Sequence, residues 1–185
     1  MEEMRTEKPL NIPNLLTMMR IGLLPAIVWR FRMEDMRGAL LLYLFAMLTD
    51  VLDGVLARRL DQITALGKLL DPLADKLSLI TLLWLFVSAG QISGWVLWLV
   101  LIKELLLMAG SAAALSRGVI VHALPIGKVT TVFFTVSMTA QFLRLGKTAD
   151  ALLLASILMS LLSLVWYLAA GAEKMKCIPV YHIKS

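Results

Sequence analysis

Six long apolar runs separated by short polar segments dominate the sequence and constrain its fold more than any other feature. A helix that crosses the hydrocarbon core of a bilayer needs about 20 mostly apolar residues. Hydrophobic residues make up 59% of this 185-residue chain, against about half in a soluble domain. We therefore expect an all-α membrane protein with six transmembrane helices, at residues 14–31, 39–57, 71–89, 93–115, 126–144 and 149–171.

The length and the distribution of charge predict the domain organisation and topology. No internal repeat or linker is evident, so we expect a single domain over residues 1–185, with a surface segment at 1–13 and a tail at 172–185. Six spans put both termini on the same side of the membrane. Ten Lys and Arg residues fall on that side and five on the other, and cytosolic loops carry the excess of positive charge. Both termini are therefore predicted to be cytosolic.

The basic composition and the cysteine count limit the possible partners. The formal charge is +5, but the basic residues lie mostly in short loops between apolar runs. Anionic lipid head groups and phosphate substrates are the expected partners, and nucleic acid is not. Cys177 is the single cysteine, which excludes an intrachain disulfide and a cysteine-based metal site.

Four aspartates within the stretch "TDVLDGVLARRLDQITALGKLLDPLADK", residues 49–76, recur at helical spacing. Asp50 and Asp53 are separated by about 60° around the second helix, and Asp71 and Asp75 by about 40° around the third, so each pair shares a face. The short basic segment between the helices predicts that the third returns as an antiparallel neighbour of the second. The four carboxylates are therefore expected to converge.

Convergence of four carboxylates requires a counter-charge. Each Asp near mid-membrane is disfavoured by about 2.5–3.5 kcal/mol, and like charges at short range add to that cost. Oxygen ligands without His or Cys suit Mg²⁺ or Mn²⁺, and two such ions about 4 Å apart are a common device for phosphoryl transfer. A simpler alternative is that the acids lie in interfacial water and pair with basic neighbours: Arg58, Arg59, Lys68 and Lys76.

The same stretch resembles the signature of the CDP-alcohol phosphotransferase family, whose eight fixed positions are matched by Asp50, Asp53, Gly54, Ala57, Arg58, Gly67, Asp71 and Asp75. The segments "NIPNLLTMMRIGLLP" at 11–25 and "LPIGKVTT" at 124–131 are also similar to members of this family. The resemblance implies a six-helix membrane enzyme, commonly a homodimer, that transfers a substituted phosphate from a CDP-linked donor to an alcohol and releases CMP. The expected setting is the cell (plasma or inner) membrane, with the active site facing the cytosol.

The resemblance also implies roles for individual residues. The four aspartates would be metal ligands for Mg²⁺ or Mn²⁺, and Asp75 would also be the base that takes the proton of the acceptor hydroxyl. The residues expected to border the CDP group are Asp53, Gly54, Ala57, Arg58 and Gly67. This agrees with their chemistry, because glycine and alanine clear space beside a helix and arginine pairs well with phosphate.

The acceptor is predicted from basic residues elsewhere in the chain. Arg20, Lys103, Arg117 and Lys128 are candidates for an acceptor-binding pocket, which favours CDP-diacylglycerol as donor and glycerol 3-phosphate as acceptor, as in phosphatidylglycerophosphate synthases. Ser111 and Thr130 stand where that pattern is basic, so phosphatidylglycerol, the acceptor of cardiolipin synthases in this family, is the alternative. Lys103 could instead form a structural pair with Glu104, and Arg117 could be a cytosolic anchor.

Two further alternatives come from other functional classes. The acid cluster could belong to a divalent-cation transporter, although the acids lie toward one side and the other helices offer few polar groups. The chain could also be an inactive relative that acts as a structural partner, against which the intact signature argues.

Overall fold

The computed structural model describes residues 12–59, 65–116 and 125–176. These residues form six helices: α1 Ile12–Arg32, α2 Met36–Arg59, α3 Ala65–Ser88, α4 Gly94–Ser116, α5 Pro125–Phe142 and α6 Lys147–Lys176. No strand occurs in these three ranges. The expected all-α fold with six helices is therefore confirmed for the described part of the chain.

The helix boundaries follow the apolar runs closely, with one difference that affects the site. The third helix begins at Ala65, six residues before the run that predicted it. Gly67, expected in the connection between helices, consequently lies buried in the first turn of α3. The span predicted from hydropathy is shorter than this helix because the first two turns carry the charged residues Lys68 and Asp71. Charged residues lower the mean hydropathy even where the backbone is helical.

The chain divides into two compact units, Met1–Gln91 and Ile92–Ser185. In the first unit, α1 packs against both α2 and α3. Its buried residues recur every three or four positions, as expected for one face of a helix: Asn14, Thr17, Arg20, Leu24, Ile27 and Phe31. This face is polar in its first two turns and apolar beyond them, so α1 contributes polar groups at one end and core packing at the other.

The expected pairing of α2 with α3 as direct neighbours is wrong for the described residues. Both helices pack extensively on α1, whereas direct contact between α2 and α3 is at most slight in the described ranges. Small buried residues of α2, Ala39 and Ala46, allow close approach of another helix. At the far end of α1, Phe31 packs edge-to-face on Phe86 of α3, with ring centroids 5.4 Å apart.

Local hydrogen bonds fix where helices end. The amides of Glu34 and Asp35 donate to the carbonyls of Phe31 and Arg30, at 3.1 Å each, which is the Schellman pattern. Asp35 then caps α2, because its carboxylate accepts a 2.8 Å hydrogen bond from the Gly38 amide. A Cβ at Gly38 would overlap this carboxylate, so any other residue there would force the Asp35 side chain to shift.

Ion pairing and capping together lower the pKa of Asp35 in this connection. The backbone hydrogen bond from Gly38 is the largest cause, and the Arg30 guanidinium adds to it. Arg30 Nη1 lies 2.9 Å from the carboxylate. The exposed connection between α1 and α2 therefore favours the ionised form of Asp35.

In the second unit, α6 packs against both α5 and α4. The buried face of α6 follows the same three- and four-residue spacing and includes two serines: Ala149, Leu153, Ser156, Ile157, Ser160 and Leu164. Phe134 and Met138 provide apolar packing from α5. The buried face of α6 is thus mostly apolar with two hydroxyls.

The helices expose many large apolar side chains. All six carry some, including Trp29, Phe45, Leu73, Trp98 and Val132, and α6 adds Leu154, Leu158 and Leu162. By length and composition, one stretch of the described residues, Lys147–Ala169 in α6, is apolar enough to cross a membrane. The first half of α3 contains Asp71, Asp75 and Lys76, so it is less apolar than α6.

Candidate active site

One arginine joins aspartates from two different helices. Nη1 of Arg20, on α1, lies 2.7 Å from Oδ1 of Asp50 on α2 and 2.9 Å from Oδ1 of Asp75 on α3. The same nitrogen reaches both oxygens, so the two carboxylates lie close together. The predicted convergence of the carboxylates is therefore confirmed for Asp50 and Asp75, which meet at Arg20 of α1.

A third aspartate is held by the neighbouring turn of α1. Oγ1 of Thr17 donates a 2.7 Å hydrogen bond to Oδ1 of Asp71. Asp71 lies one turn before Asp75 on the same face of α3. Thr17 and Arg20 are themselves one turn apart, so successive turns of α1 contact successive turns of α3.

The burial of the two sides of this cluster differs. Arg20 is fully buried and Thr17 nearly so, whereas the side chains of Asp50 and Asp75 are 38% and 55% exposed. Arg20 and Thr17 of α1 therefore lie at the buried side of the cluster, and the carboxylates lie at its accessible side. The group contains one guanidinium, from Arg20, and three carboxylates, from Asp50, Asp71 and Asp75, so the formal charge of these four side chains is negative.

The donor set has the chemistry of a site for a hard divalent cation. Its ligating atoms are carboxylate oxygens, which Mg²⁺ and Mn²⁺ prefer, and the partial exposure of Asp50 and Asp75 gives an ion access. Among the side chains that the structure describes, no three acidic, His or Cys residues are arranged as a metal-binding group. The fourth predicted ligand, Asp53, has its backbone on α2 and its side chain outside the described set.

The residues predicted to border CDP are only partly described. Gly54 lies on α2, and a Cβ there would meet nothing within 4 Å among the described atoms, which agrees with the expected space beside the helix. Gly67 is buried in α3. The side chains of Ala57 and Arg58 lie outside the described set, so their predicted roles stay predictions.

The predicted acceptor-binding residues do not form one described group. Arg20 lies in the aspartate cluster of the first unit. In the second unit, the Lys103 ammonium pairs with Glu104 and donates a 2.8 Å hydrogen bond to Oγ of Ser160 on α6. Arg117 lies outside the described residues, as does the side chain of Lys128. Lys103 therefore forms the pair with Glu104 that was weighed as an alternative from the sequence, and its acceptor-binding role stays a prediction.

The sequence analysis did not identify Thr17 as a site residue, and it assigned Arg20 to the acceptor-binding pocket rather than to the aspartate cluster. The available signal was the spacing of Asn14, Thr17 and Arg20, three residues apart in an otherwise apolar helix. Such spacing puts all three on one face, and a buried polar face needs partners on a neighbouring element. The partners themselves could not be identified without the helix packing.

The sequence is similar to proteins named as enzymes of lipid synthesis. A CDP-diacylglycerol--glycerol-3-phosphate 3-phosphatidyltransferase of Aquifex aeolicus is 34% identical over 173 residues, covering 88% of this chain and 96% of that protein. A putative cardiolipin synthase of Mycobacterium tuberculosis is 33% identical over 141 residues, covering 74% of this chain and 66% of its own. A cardiolipin synthase (CMP-forming) of Rattus norvegicus is 46% identical over 87 residues, covering 46% of this chain and 28% of its own length.

The family model for CDP-alcohol phosphatidyltransferases matches residues 10–170. This range includes the aspartates of α2 and α3, the α1 residues that contact them, and the Lys103 pair of α4. The chain therefore belongs to the CDP-alcohol phosphatidyltransferase family.

Proposed function

We propose that this protein transfers the phosphatidyl group of CDP-diacylglycerol to glycerol 3-phosphate, giving phosphatidylglycerophosphate and CMP. The observation that carries the proposal is the meeting of Asp50 and Asp75 at Arg20 Nη1, at 2.7 and 2.9 Å, in a member of this family. The name of the Aquifex relative, which covers nearly the whole chain, supports this donor and acceptor.

In the proposed reaction, an acceptor hydroxyl oxygen attacks the phosphorus of the phosphatidyl group. A new P–O bond forms as the bond to the CMP oxygen breaks, and Asp75 receives the hydroxyl proton as general base. Asp75 suits this role because its side chain is 55% exposed and therefore open to the acceptor. Thr17 holds Asp71 at 2.7 Å, and Arg20 keeps Asp50 beside Asp75.

The proposed cofactor is a pair of Mg²⁺ or Mn²⁺ ions held by Asp50, Asp53, Asp71 and Asp75. Bound ions of this kind neutralise charge on the pyrophosphate and on the leaving CMP. The oxygen-only donor set and its excess of negative charge support them. Gly54, Ala57, Arg58 and Gly67, together with Asp53, are proposed to border the CDP group, supported by the open space at the Cα of Gly54.

We propose that the protein acts as a single domain with six membrane spans, both termini in the cytosol and the aspartate cluster facing the cytosol. The large apolar side chains exposed on every helix support contact with lipid, since soluble proteins rarely expose extended apolar patches. The excess of basic residues on the side of the termini supports the orientation. A homodimer in the cell membrane is the proposed assembly.

A second candidate acceptor is phosphatidylglycerol, which would give cardiolipin. The relatives named cardiolipin synthase favour it. Thr130, buried on α5, stands at a position that is basic in the phosphatidylglycerophosphate synthase pattern. The proposal of a cation transporter has no comparable support from the relatives.

The decisive experiment incubates the purified protein with labelled CDP-diacylglycerol, Mg²⁺ or Mn²⁺, and each acceptor separately, then identifies the lipid product by mass. We expect CMP release and phosphatidylglycerophosphate with glycerol 3-phosphate. Cardiolipin formed only with phosphatidylglycerol would replace the first candidate by the second, and no CMP with either acceptor would contradict both.

The acceptor-binding residues are tested by kinetics. A dianionic phosphate needs cationic partners, so Lys128→Ala is expected to raise the KM for glycerol 3-phosphate while the KM for CDP-diacylglycerol stays near that of the wild type. Measuring the same two KM values for Lys103→Met and Arg117→Ala decides whether either residue belongs to the pocket. An unchanged acceptor KM removes the residue concerned from the pocket.

A further inference from the structure

We propose that Arg20 is a positioning residue that competes with the divalent cation for Asp50 and Asp75, and thereby sets the metal affinity of the site. The proposal rests on the proposed function for the presence of the metal and adds a role for a residue of α1. It concerns the strength of metal binding rather than the chemistry of transfer.

The geometry gives Arg20 and a metal ion the same ligands. Arg20 Nη1 contacts Oδ1 of Asp50 at 2.7 Å and Oδ1 of Asp75 at 2.9 Å. These are the carboxylates by which α2 and α3 would hold an ion. A cation bound between the two helices must therefore share these oxygens with the guanidinium or displace it from at least one of them.

The burial of Arg20 makes this competition persistent. The guanidinium is fully buried and is not deprotonated in proteins, so it cannot avoid the carboxylates by losing its charge. A long side chain fixed on the packed face of α1 is also less free to move into solvent. When Arg20 occupies the carboxylates, a smaller fraction of the protein is ready to bind metal. The apparent Kd for the metal equals the intrinsic Kd divided by that fraction, so it rises.

A purely structural role for Arg20 predicts the opposite effect on metal binding. If the arginine only held α2 and α3 in place, removing it would loosen the carboxylates and weaken the affinity for metal. Competition predicts that removing it strengthens the affinity, even where the protein becomes less stable. The sign of the change in Kd therefore separates the two roles.

The test measures Mn²⁺ binding to the full-length protein in detergent after EDTA treatment, by the EPR signal of free Mn²⁺. We expect Arg20→Gln to lower the Kd at least about threefold, because a unit positive charge is removed from beside the ion. Arg20→Lys keeps the positive charge but loses the planar fork of the guanidinium. We expect its Kd for Mn²⁺ to lie between those of the wild type and Arg20→Gln. If Arg20→Gln fails to fold, the Kd of Arg20→Lys provides the test in its place.

Arg32→Gln is the matched control, since it removes an equal charge from the other end of α1, where Arg32 lies over the Trp84 ring at 5.4 Å. We expect its Kd to equal that of the wild type. A weaker or unchanged Kd in the Arg20 variants, or no Mn²⁺ binding in the wild type, overturns the proposal.

The outcome is independent of the transfer assay. Tighter binding in Arg20→Gln without CMP release by the wild type would reject the proposed function and retain the competition. Normal CMP release by the wild type with weaker Mn²⁺ binding in Arg20→Gln would retain the proposed function and reject the competition.

Discussion

Two buried cations, one in each unit, have contrasting partners. Arg20 contacts aspartates 30 and 55 positions along the chain, on two other helices, and both are partly exposed. Lys103 pairs with Glu104, the next residue on the same helix, whose side chain is only 12% exposed, and its hydrogen bond to Ser160 reaches one other helix. The first arrangement joins three helices, and the second joins two.

The difference separates a partly exposed charged cluster from a buried pair of opposite charges. Lys103 and Glu104 neutralise each other within a buried environment, which stabilises the packing of α4 on α6 but leaves little exposed charge. Arg20 brings one positive charge to the two carboxylates that it contacts, and the side chains of Asp50 and Asp75 are 38% and 55% exposed. Negative charge of this kind attracts cations, so the first cluster is suited to metal and substrate.

The largest expected effect comes from the exposed acid of the first cluster. Asp75→Asn removes the proposed base, and positioned acid–base groups contribute about 10²- to 10⁴-fold to rates; we expect kcat, measured by CMP release, to fall by that range. Asp35→Asn is the matched control, since Asp35 lies in the exposed connection between α1 and α2. Turnover within a few-fold of the wild type for Asp75→Asn would remove its role as base.

The second prediction concerns stability at the Lys103 pair. Removing one partner of a buried ion pair costs about 3–5 kcal/mol, so Lys103→Met should lower the Tm in detergent strongly. The double variant Lys103→Met/Glu104→Leu should recover much of the loss, because no uncompensated charge remains. A raised acceptor KM at unchanged Tm in Lys103→Met would instead make Lys103 functional and break the contrast with Arg20.

The third prediction concerns Thr17, which orients an acid without carrying a charge. Groups that hydrogen-bond to metal ligands and orient them contribute about 10- to 100-fold to metal affinity or activity. Thr17→Val should therefore lower the Mn²⁺ affinity and kcat by up to about that factor. Thr17→Ser keeps the hydroxyl and should retain both. Equal values for the valine and serine variants would show that the hydrogen bond to Asp71 has no such role.

The smallest expected effect lies at the exposed ion pair of Arg30 with Asp35. The pKa of Asp35 is lowered below its ordinary value of 3.8 by the Gly38 amide and by Arg30, so its contribution to stability is present above that pH. The contribution is lost as the pH falls through the pKa of the folded protein. The Tm of the wild type should therefore exceed that of Asp35→Ala at pH 6, and the difference should shrink below pH 3.8.

A constant Tm difference for Asp35→Ala across this pH range would assign its effect to something other than the carboxylate. A Tm loss in Asp35→Ala as large as that in Lys103→Met would mean that burial does not make the Lys103–Glu104 pair more important for stability than the exposed Arg30–Asp35 pair. Exposed ion pairs contribute little because water and salt screen them.

The sequence by itself determined the number of helices, their approximate ends, the signature aspartates and the family, because apolar runs and fixed spacings are local properties of the chain. It also predicted that Asp50 and Asp75 converge. Only the tertiary structure decided that α1 brings them together, that Thr17 holds Asp71, and that Arg20 belongs with the acids. These contacts join residues 30 to 55 positions apart, and helical periodicity gives the face on which a side chain lies but not the helix that packs against it.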